Sequence, residues 1–189
     1  MFPNFSFNPS KKEIVNKNIV RILSFDIKTG KTKQYLYLQN SDTDSCSGIT
    51  AVSKNEFIVI ERDGKFLGEG SAKKCLYKIN ISKATDVSGD FESPDGMLIN
   101  GKTLEQCTTE ELKNAGIKFA EKTLITDLAA DYGYSHDKLE GIWMIGKNTL
   151  AVANDNDFAV VEKNNTLCQK LLPETSQTEK SMIYIIKIK

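Results

Sequence analysis

The sequence lacks the features that announce the commonest chemistries. No CxxC pair occurs, and the four cysteines, Cys46, Cys75, Cys107 and Cys168, lie 29, 32 and 61 residues apart. Zinc sites draw their ligands from close pairs, so none is expected. Four cysteines in 189 residues are also too few for a disulfide framework. Free, mostly buried thiols are expected, with one bridge left open if the protein is exported. No GxSxG elbow is present. Gly64–Lys74 carries glycines and lysines but not the Gly-x4-Gly-Lys-Ser/Thr pattern, which argues against nucleotide binding. Lys+Arg and Asp+Glu are equal at 25. Zero net charge gives no ground for nucleic acid or a membrane surface as partner. No apolar run approaches the roughly 20 residues that span a bilayer. The opening residues, MFPNFSFNPSKKEI, lack a basic start followed by an apolar stretch, so no signal peptide is expected.

What is present reads as strands and turns. Residues 1–18 form a polar lead-in with two prolines. Ile19–Ile27 and Gln34–Gln39 alternate across the Asp26–Gly30 turn as a hairpin. Strands are expected near Gly48–Val52, Phe57–Arg62, Cys75–Ile81 and Lys122–Leu128, and a closing strand at Ser181–Lys189. Ser82–Leu104 is turn-rich, with SPDG at 93–96. One helix is expected at Thr109–Ala115, with Thr108 and Glu111 as a capping box and Gly116 as its stop. Nine or ten strands with turns every 8–12 residues indicate an all-β chain, propeller or sandwich, over residues 19–189.

Chemistry concentrates at Leu139–Phe158, LEGIWMIGKNTLAVANDNDF. Two apolar runs flank Gly146-Lys147-Asn148, a hairpin signal. Folding about Lys147 sets Glu140 opposite Asn154, with Asp155 just beyond. A similar segment lies 93 residues upstream, where Ser47 matches Glu140 and Glu61 matches Asn154. Offset similarity of this kind marks a repeat. Oxygen ligands from Glu61, Glu140, Asn154 and Asp155 suit a hard cation such as Ca²⁺; the same residues also make ordinary polar turns. Asn154 is favoured over Asp155, which can instead bind turn amides. Arg62 offers a planar fork for phosphate, or a salt bridge to Asp63 or Asp155. His136, the sole histidine, reads as an exposed loop residue, or as a general base beside Glu140. Ser135 is adjacent to it and cannot make the usual triad geometry unaided.

The segments IVRILSFDIKTGKTKQYLYL, SGITAVSKNEFIVIERDG, LYKINISKATDVSG and KLEGIWMIGKNTLAVANDNDF, in this order, resemble the phytase-like family, "esterase-like activity of phytase". The resemblance implies a β-propeller, export to the periplasm or beyond, and a metal-assisted phosphoester or ester hydrolase. About four strands per blade make this chain two to three blades, an incomplete propeller with one short helix, since a closed ring takes at least four. The expected partners are a small phosphorylated or ester substrate and a chain carrying the missing blades. A non-catalytic propeller fragment acting as a binding module is the alternative.

Overall fold

The structure is a computed structural model and describes residues 14–89 and 96–188. The expected lead-in lies outside the described residues as far as residue 13, as does most of the 93–96 turn. In chain order the strands are β1 (Ile19–Phe25), β2 (Thr32–Leu38), β3 (Ser45–Ala51), β4 (Glu56–Arg62), β5 (Lys74–Asn80), and the two-residue β6 (Leu98–Ile99) and β7 (Lys102–Thr103). After a 3₁₀ turn come α1 (Thr109–Asn114), β8 (Glu121–Asp127) and α2 (Leu128–Tyr132). Then follow β9 (Leu139–Gly146), β10 (Thr149–Asn154), a second 3₁₀ turn, β11 (Val160–Lys163), β12 (Thr166–Gln169) and β13 (Ile183–Lys187). The chain is all-β with antiparallel sheets, as the alternation predicts.

Chain contacts separate two compact units: Met1–Asp42 with Asn80–Glu121, and Thr43–Ile79 with Lys122–Lys189. In the first, β1 and β2 pair from Ile19↔Leu38 to Phe25↔Thr32. Its core gathers Ile19, Leu36, Val87, Leu104, Cys107, Leu112 and Ile117. The helix forms where its caps dictate. Thr108 Oγ1 accepts from the Glu111 amide at 3.1 Å, Glu111 Oε2 accepts from the Thr108 amide at 2.8 Å, and Gly116 turns the chain out at φ +82°. An ion pair between half-buried Arg21 and buried Glu105, at 2.6 Å, ties β1 to the turn before the helix.

The second unit holds a four-stranded sheet of order β3-β4-β5-β8, a three-stranded sheet of order β13-β10-β9, and the β11-β12 pair. Its core is Ile58, Ile60, Leu76, Leu128, Tyr134, Leu139, Leu150, Val152 and Ile186. β3 runs close beside β9. Thr50 Oγ1 accepts from the Met144 amide at 3.3 Å, and a Cβ on Gly48 would lie 3.0 Å from the Glu140 carbonyl oxygen and from Ile142 Cγ2. Glycine at 48 is what lets the two strands approach.

Three expectations need correcting. A second helix, α2, stands beside the one expected. Asp127 caps it by accepting from the Ala129 amide at 3.1 Å, and Gly133 ends it at φ +66°. The pattern Asp127-Leu-Ala-Ala-Asp-Tyr-Gly133 carries both signals, but it sits directly against a strand and is barely one turn long. The short pair β6-β7 arises inside the stretch read as turns only. The third correction is register. The middle of β9-β10 does fold about Lys147, with Val152↔Ile142 and Ala153↔Gly141, but Asn154 then faces Leu139. A β-bulge pushes Glu140 out of the ladder.

Candidate functional site

The bulge at Glu140 sets the first part of the site. The extra residue frees the Leu139 carbonyl, which accepts from Ser47 Oγ at 2.5 Å and Arg62 Nε at 3.3 Å. The Glu140 carboxylate meets Arg62 Nη2, and Nη1 donates to the Asp63 carbonyl at 3.1 Å. Arg62, at the end of β4, is therefore buried with its fork engaged. Next to it, the ammonium of the fully buried Lys74 donates to Asp63 Oδ1 at 2.7 Å and to the Lys65 carbonyl at 2.8 Å. An ammonium taken out of water requires such a carboxylate.

The second part is built from three segments. The left-handed Gly133 turns the chain inward, so Tyr134 and His136 enter the core side by side, their rings 5.2 Å apart. The end of β10 contributes Asn154. A tight hairpin with the Leu171↔Thr178 bridge brings Lys170 beside Glu179, the Glu179 amide donating to the Lys170 carbonyl at 2.9 Å. Tyr184 of β13 completes the group.

His136 is 2% exposed, which overturns its reading as an exposed loop histidine. Its polar sequence neighbours suggested a surface position; Glu179 and Tyr184, which hydrogen-bond its ring, come from more than 40 residues further on. Nδ1 lies 2.9 Å from Glu179 Oε1 and Nε2 lies 2.8 Å from the Tyr184 hydroxyl. The surroundings orient the neighbouring Asn154 amide. The Met182 amide donates to Asn154 Oδ1 at 2.7 Å, so the other end of Asn154 is its NH₂. That NH₂ donates to Glu179 Oε1 at 3.2 Å and to the Lys180 carbonyl at 3.0 Å. The same NH₂ lies 3.0 Å from His136 Nδ1, so the contacts accommodate two tautomers: Nδ1–H donating to Glu179 with Nε2 accepting from Tyr184, or Nδ1 accepting from Asn154 with Nε2–H donating to Tyr184. The arrangement is carboxylate, imidazole, hydroxyl, in the order a general base needs. It is not beside Glu140, where the sequence placed it. Tyr184 is half-buried and Ser135 hydrogen-bonds to its hydroxyl; burial raises the Tyr184 pKa.

Behind Glu179 lies a cage of charge. Lys170 Nζ is 2.9 Å from Asp137 Oδ1, 2.8 Å from Asp157 Oδ2 and 2.9 Å from Glu179 Oε2. Lys138 also pairs with Asp157. Burial works against the Lys170 charge, but hydrogen bonds to Asp157, Asp137 and Glu179 outweigh it and raise the pKa. Burial raises the Asp137 pKa against the pull of Lys170. For Asp157 burial is again the largest influence and works upward, yet hydrogen bonds from Lys138 and Lys170 leave it lowered. Asp157, Phe158 and Ala159 hold φ of 52°, 59° and 60°, three successive left-handed residues in the NDNDF turn. That is strain stored at the site.

The thiols take no part. All four cysteines are free, and burial, followed by the Glu61 charge, pushes Cys46 up to about 12. A thiol held protonated in this way is a poor nucleophile.

The residues proposed as Ca²⁺ ligands have separate partners. Glu61, buried at the end of β4, takes Lys122 Nζ at 2.8 Å, and Lys122 lies 4.2 Å from the Tyr77 ring centre. Glu140 takes Arg62, which is thus salt-bridged to neither Asp63 nor Asp155. The side-chain oxygen of Asn154 is used by Met182, and Asp155 Oδ1 accepts from the Asp157 amide at 2.9 Å as an Asx turn. As a set these four do not fit a cation that takes six to eight oxygens. Among the described residues no group of three or more His, Cys, Asp or Glu side chains is placed to hold a metal ion. Lys170 and Glu179 had no signal in the sequence, because nothing in KLLPETSQTEK is periodic or motif-like, and Tyr184 was read only as part of the closing strand.

No curated protein and no solved structure matches the chain. The family model described as phytase-like, esterase-like activity of phytase, matches residues 7–158, which takes in Arg62, His136, Glu140 and Asn154 and stops before Lys170, Glu179 and Tyr184. That match spans most of the sequence, and the chain belongs to the phytase-like family.

Proposed function

We propose that this chain hydrolyses a small phosphoester or carboxylic ester, and that Tyr184, His136 and Glu179 carry the reaction. The observation behind this reading is the chain of contacts from Glu179 through His136 to the Tyr184 hydroxyl, and the reading takes the tautomer with the proton on Nδ1. In the forward step the Tyr184 oxygen attacks the carbonyl carbon or phosphorus. Its proton passes to His136 Nε2 and then to the departing alcohol oxygen. Water, deprotonated by the same nitrogen, releases the acid and restores Tyr184. Glu179 is a positioning residue that holds the imidazole and offsets its transient charge. Ser135 orients the tyrosine hydroxyl. The family description supports a hydrolytic class.

Turnover of p-nitrophenyl acetate and p-nitrophenyl phosphate by the purified chain, with and without Ca²⁺, tests the reading. Tyr184→Phe keeps the ring and removes the hydroxyl. It should lower kcat/KM about 10²- to 10⁴-fold while the melting temperature changes little. A wild-type chain that turns over neither ester, or a fully active Tyr184→Phe, sinks it.

A second reading, an interaction module, rests on one sheet face. Trp143, Ala151 and Ile185 form one row across β9, β10 and β13, and Gly141, Ala153 and Ile183 the next. Trp143, Ile183 and Ile185 are exposed. Bulky edges with a small-residue centre form an apolar trough of a kind that marks interaction surfaces. Under this reading the sheets are blades of an incomplete propeller, β3 and β9 being neighbouring inner strands. The occupant is then an apolar sheet from a chain carrying the missing blades. Sedimentation of wild type against Trp143→Glu, alone and with a candidate partner, separates the two readings, because Trp143 lies apart from Tyr184 on the opposite sheet face.

A further inference from the structure

Asn154 stands where the upstream hairpin carries a carboxylate. The two positions match in the 93-residue offset, and Glu61 at the upstream one holds a cation, the Lys122 ammonium, at 2.8 Å. At the downstream one the neighbour is the imidazole of His136, whose Nδ1 lies 3.0 Å from the Asn154 amide nitrogen. A carboxylate there would draw a positive charge onto the ring, as Glu61 draws Lys122. An amide does not.

The contacts of His136 accommodate either tautomer; the count of donors against acceptors separates them. The Met182 N–H fixes the Asn154 oxygen. The NH₂ then has two hydrogens for three acceptors within reach: the Lys180 carbonyl at 3.0 Å, Glu179 Oε1 at 3.2 Å and His136 Nδ1 at 3.0 Å. With the ring proton on Nδ1 the count closes. The amide serves Lys180 and Glu179, Nδ1–H serves Glu179, and each of these acceptors has a donor. With the proton on Nε2 it fails. Three acceptors share two hydrogens, or a bare Nδ1 lies 2.9 Å from a carboxylate oxygen with no hydrogen between them. A buried acceptor short of a donor costs the full desolvation of that group. Among the described residues, the titratable groups against the ring are Glu179 and Tyr184, in hydrogen-bond contact, and Tyr134, with ring centres 5.2 Å apart. Of these Glu179 alone is an anion, and its charge is shared with Lys170.

We propose that Asn154 is a positioning residue. By offering N–H where its upstream counterpart offers a carboxylate, it keeps His136 uncharged, with the proton on Nδ1 and Nε2 bare toward the Tyr184 hydroxyl. Its part in catalysis rests on the hydrolytic reading; the state of the ring does not.

His136 is the sole histidine, so a proton–nitrogen correlation spectrum of the full chain, carrying isotope-labelled histidine, reports a single ring. At neutral pH wild type should show a protonated Nδ1 and a bare Nε2. Asn154→Asp keeps the size of the side chain and turns its donors into an acceptor. Both ring nitrogens should then be protonated, and with the basic nitrogen occupied kcat/KM for p-nitrophenyl acetate should fall about 10²-fold or more. Glu179→Gln should keep its oxygen toward Lys170 and present its NH₂ to the ring, so that the proton moves to Nε2. Where one variant fails to fold, wild type and the other decide. A wild-type ring protonated on Nε2 or on both nitrogens, an uncharged ring in folded Asn154→Asp, or an Nδ1 proton kept in Glu179→Gln overturns the proposal. The expected spectra with no ester turnover would sink the hydrolytic reading alone. Turnover that depends on Tyr184, with a bare Nδ1 in wild type, would sink the role of Asn154 alone.

Discussion

In the β3-β4 hairpin the bulge falls at Ser47, between Cys46↔Glu61 and Gly48↔Ile60; in β9-β10 it falls at Glu140, between Leu139↔Asn154 and Gly141↔Ala153. Ser47 and Glu140 are the positions matched by the 93-residue offset, and so are Glu61 and Asn154. The two backbones thus share this bulge, while β9-β10 has a second register shift, between Thr149 and Leu150, that β3-β4 lacks. Their mouths do different things. At the upstream mouth Glu61 meets Lys122, which lies over an aromatic ring. At the downstream mouth Asn154 joins Glu179, and through it His136, Tyr184 and Lys170. One lesson is that a hairpin supplies a frame, while the chemistry arrives from whichever segment packs against its open end.

The comparison breaks most sharply at the two mouth carboxylates, both buried. Glu179→Ala leaves Lys170 one anion short and removes the carboxylate beside His136 Nδ1, and should cost about 3–5 kcal/mol. Glu61→Ala takes the carboxylate from Lys122, which is 17% exposed and can turn toward water; about 1–3 kcal/mol is expected there. Urea unfolding of both variants gives the two numbers. Equal losses would show that the downstream network is no more interdependent than the upstream pair.

Next in size is the bulge residue. Glu140→Gln keeps a hydrogen-bond acceptor for Arg62 but removes the charge, at a cost of about 1–2 kcal/mol, because charge-assisted bonds are worth more than neutral ones. Ser47→Ala, at the matching bulge, removes one neutral hydrogen bond and should cost about 1 kcal/mol or less. A reversal of that order, measured by the same denaturant titration, would mean that the Arg62–Glu140 pair contributes little beyond its geometry.

How much of this was legible follows from where each partner lies in sequence. The hairpins, the capped helix and the free thiols depend on local patterns, and those patterns were readable at Lys147, Thr108 and the cysteine spacings. The bulges were not. A bulge is fixed by what pulls the extra residue out, here Arg62 from another strand, and alternation alone keeps Glu140 opposite Asn154. His136 was misplaced for the same reason, as was the partner of Arg62. Their burial is decided by Glu179, Tyr184 and Glu140, none of which is near in sequence.

The two mouths should also part in acid. Asp157 has a lowered pKa, from the ordinary 3.8, because lysine hydrogen bonds outweigh burial. A carboxyl whose folded pKa is depressed stabilises the fold above its unfolded value, and that contribution is lost as pH falls through the folded one. Asp137, raised by burial, works in the opposite sense, favouring the fold while protonated and losing that advantage as pH rises. Wild type should therefore lose stability below about pH 4 through Asp157. Asp157→Asn should start lower at neutral pH and fall less steeply between pH 4 and 2. Thermal melts across that range decide it, parallel curves counting against the assignment.

The smallest effect sharpens the comparison furthest, because it isolates the backbone. Phe158 sits at φ +59° with its ring 96% exposed. Left-handed geometry costs a non-glycine residue about 1–2 kcal/mol, and little packing offsets that cost here. Phe158→Gly removes the penalty but loosens the unfolded chain by about 0.5–1 kcal/mol. The net expectation is a gain of about 0.5–1 kcal/mol. The matching upstream residue is Lys65, whose φ is not positive. Lys65→Gly relieves nothing there and bears only the entropic loss, so it should destabilise by about 0.5–1 kcal/mol. Opposite signs for the two substitutions, read as denaturant midpoints at constant m-value, would place the strain at the downstream mouth alone. A loss at both positions would mean that the NDNDF turn is relaxed in solution, and that the cage holding Asp157 need not work against its backbone.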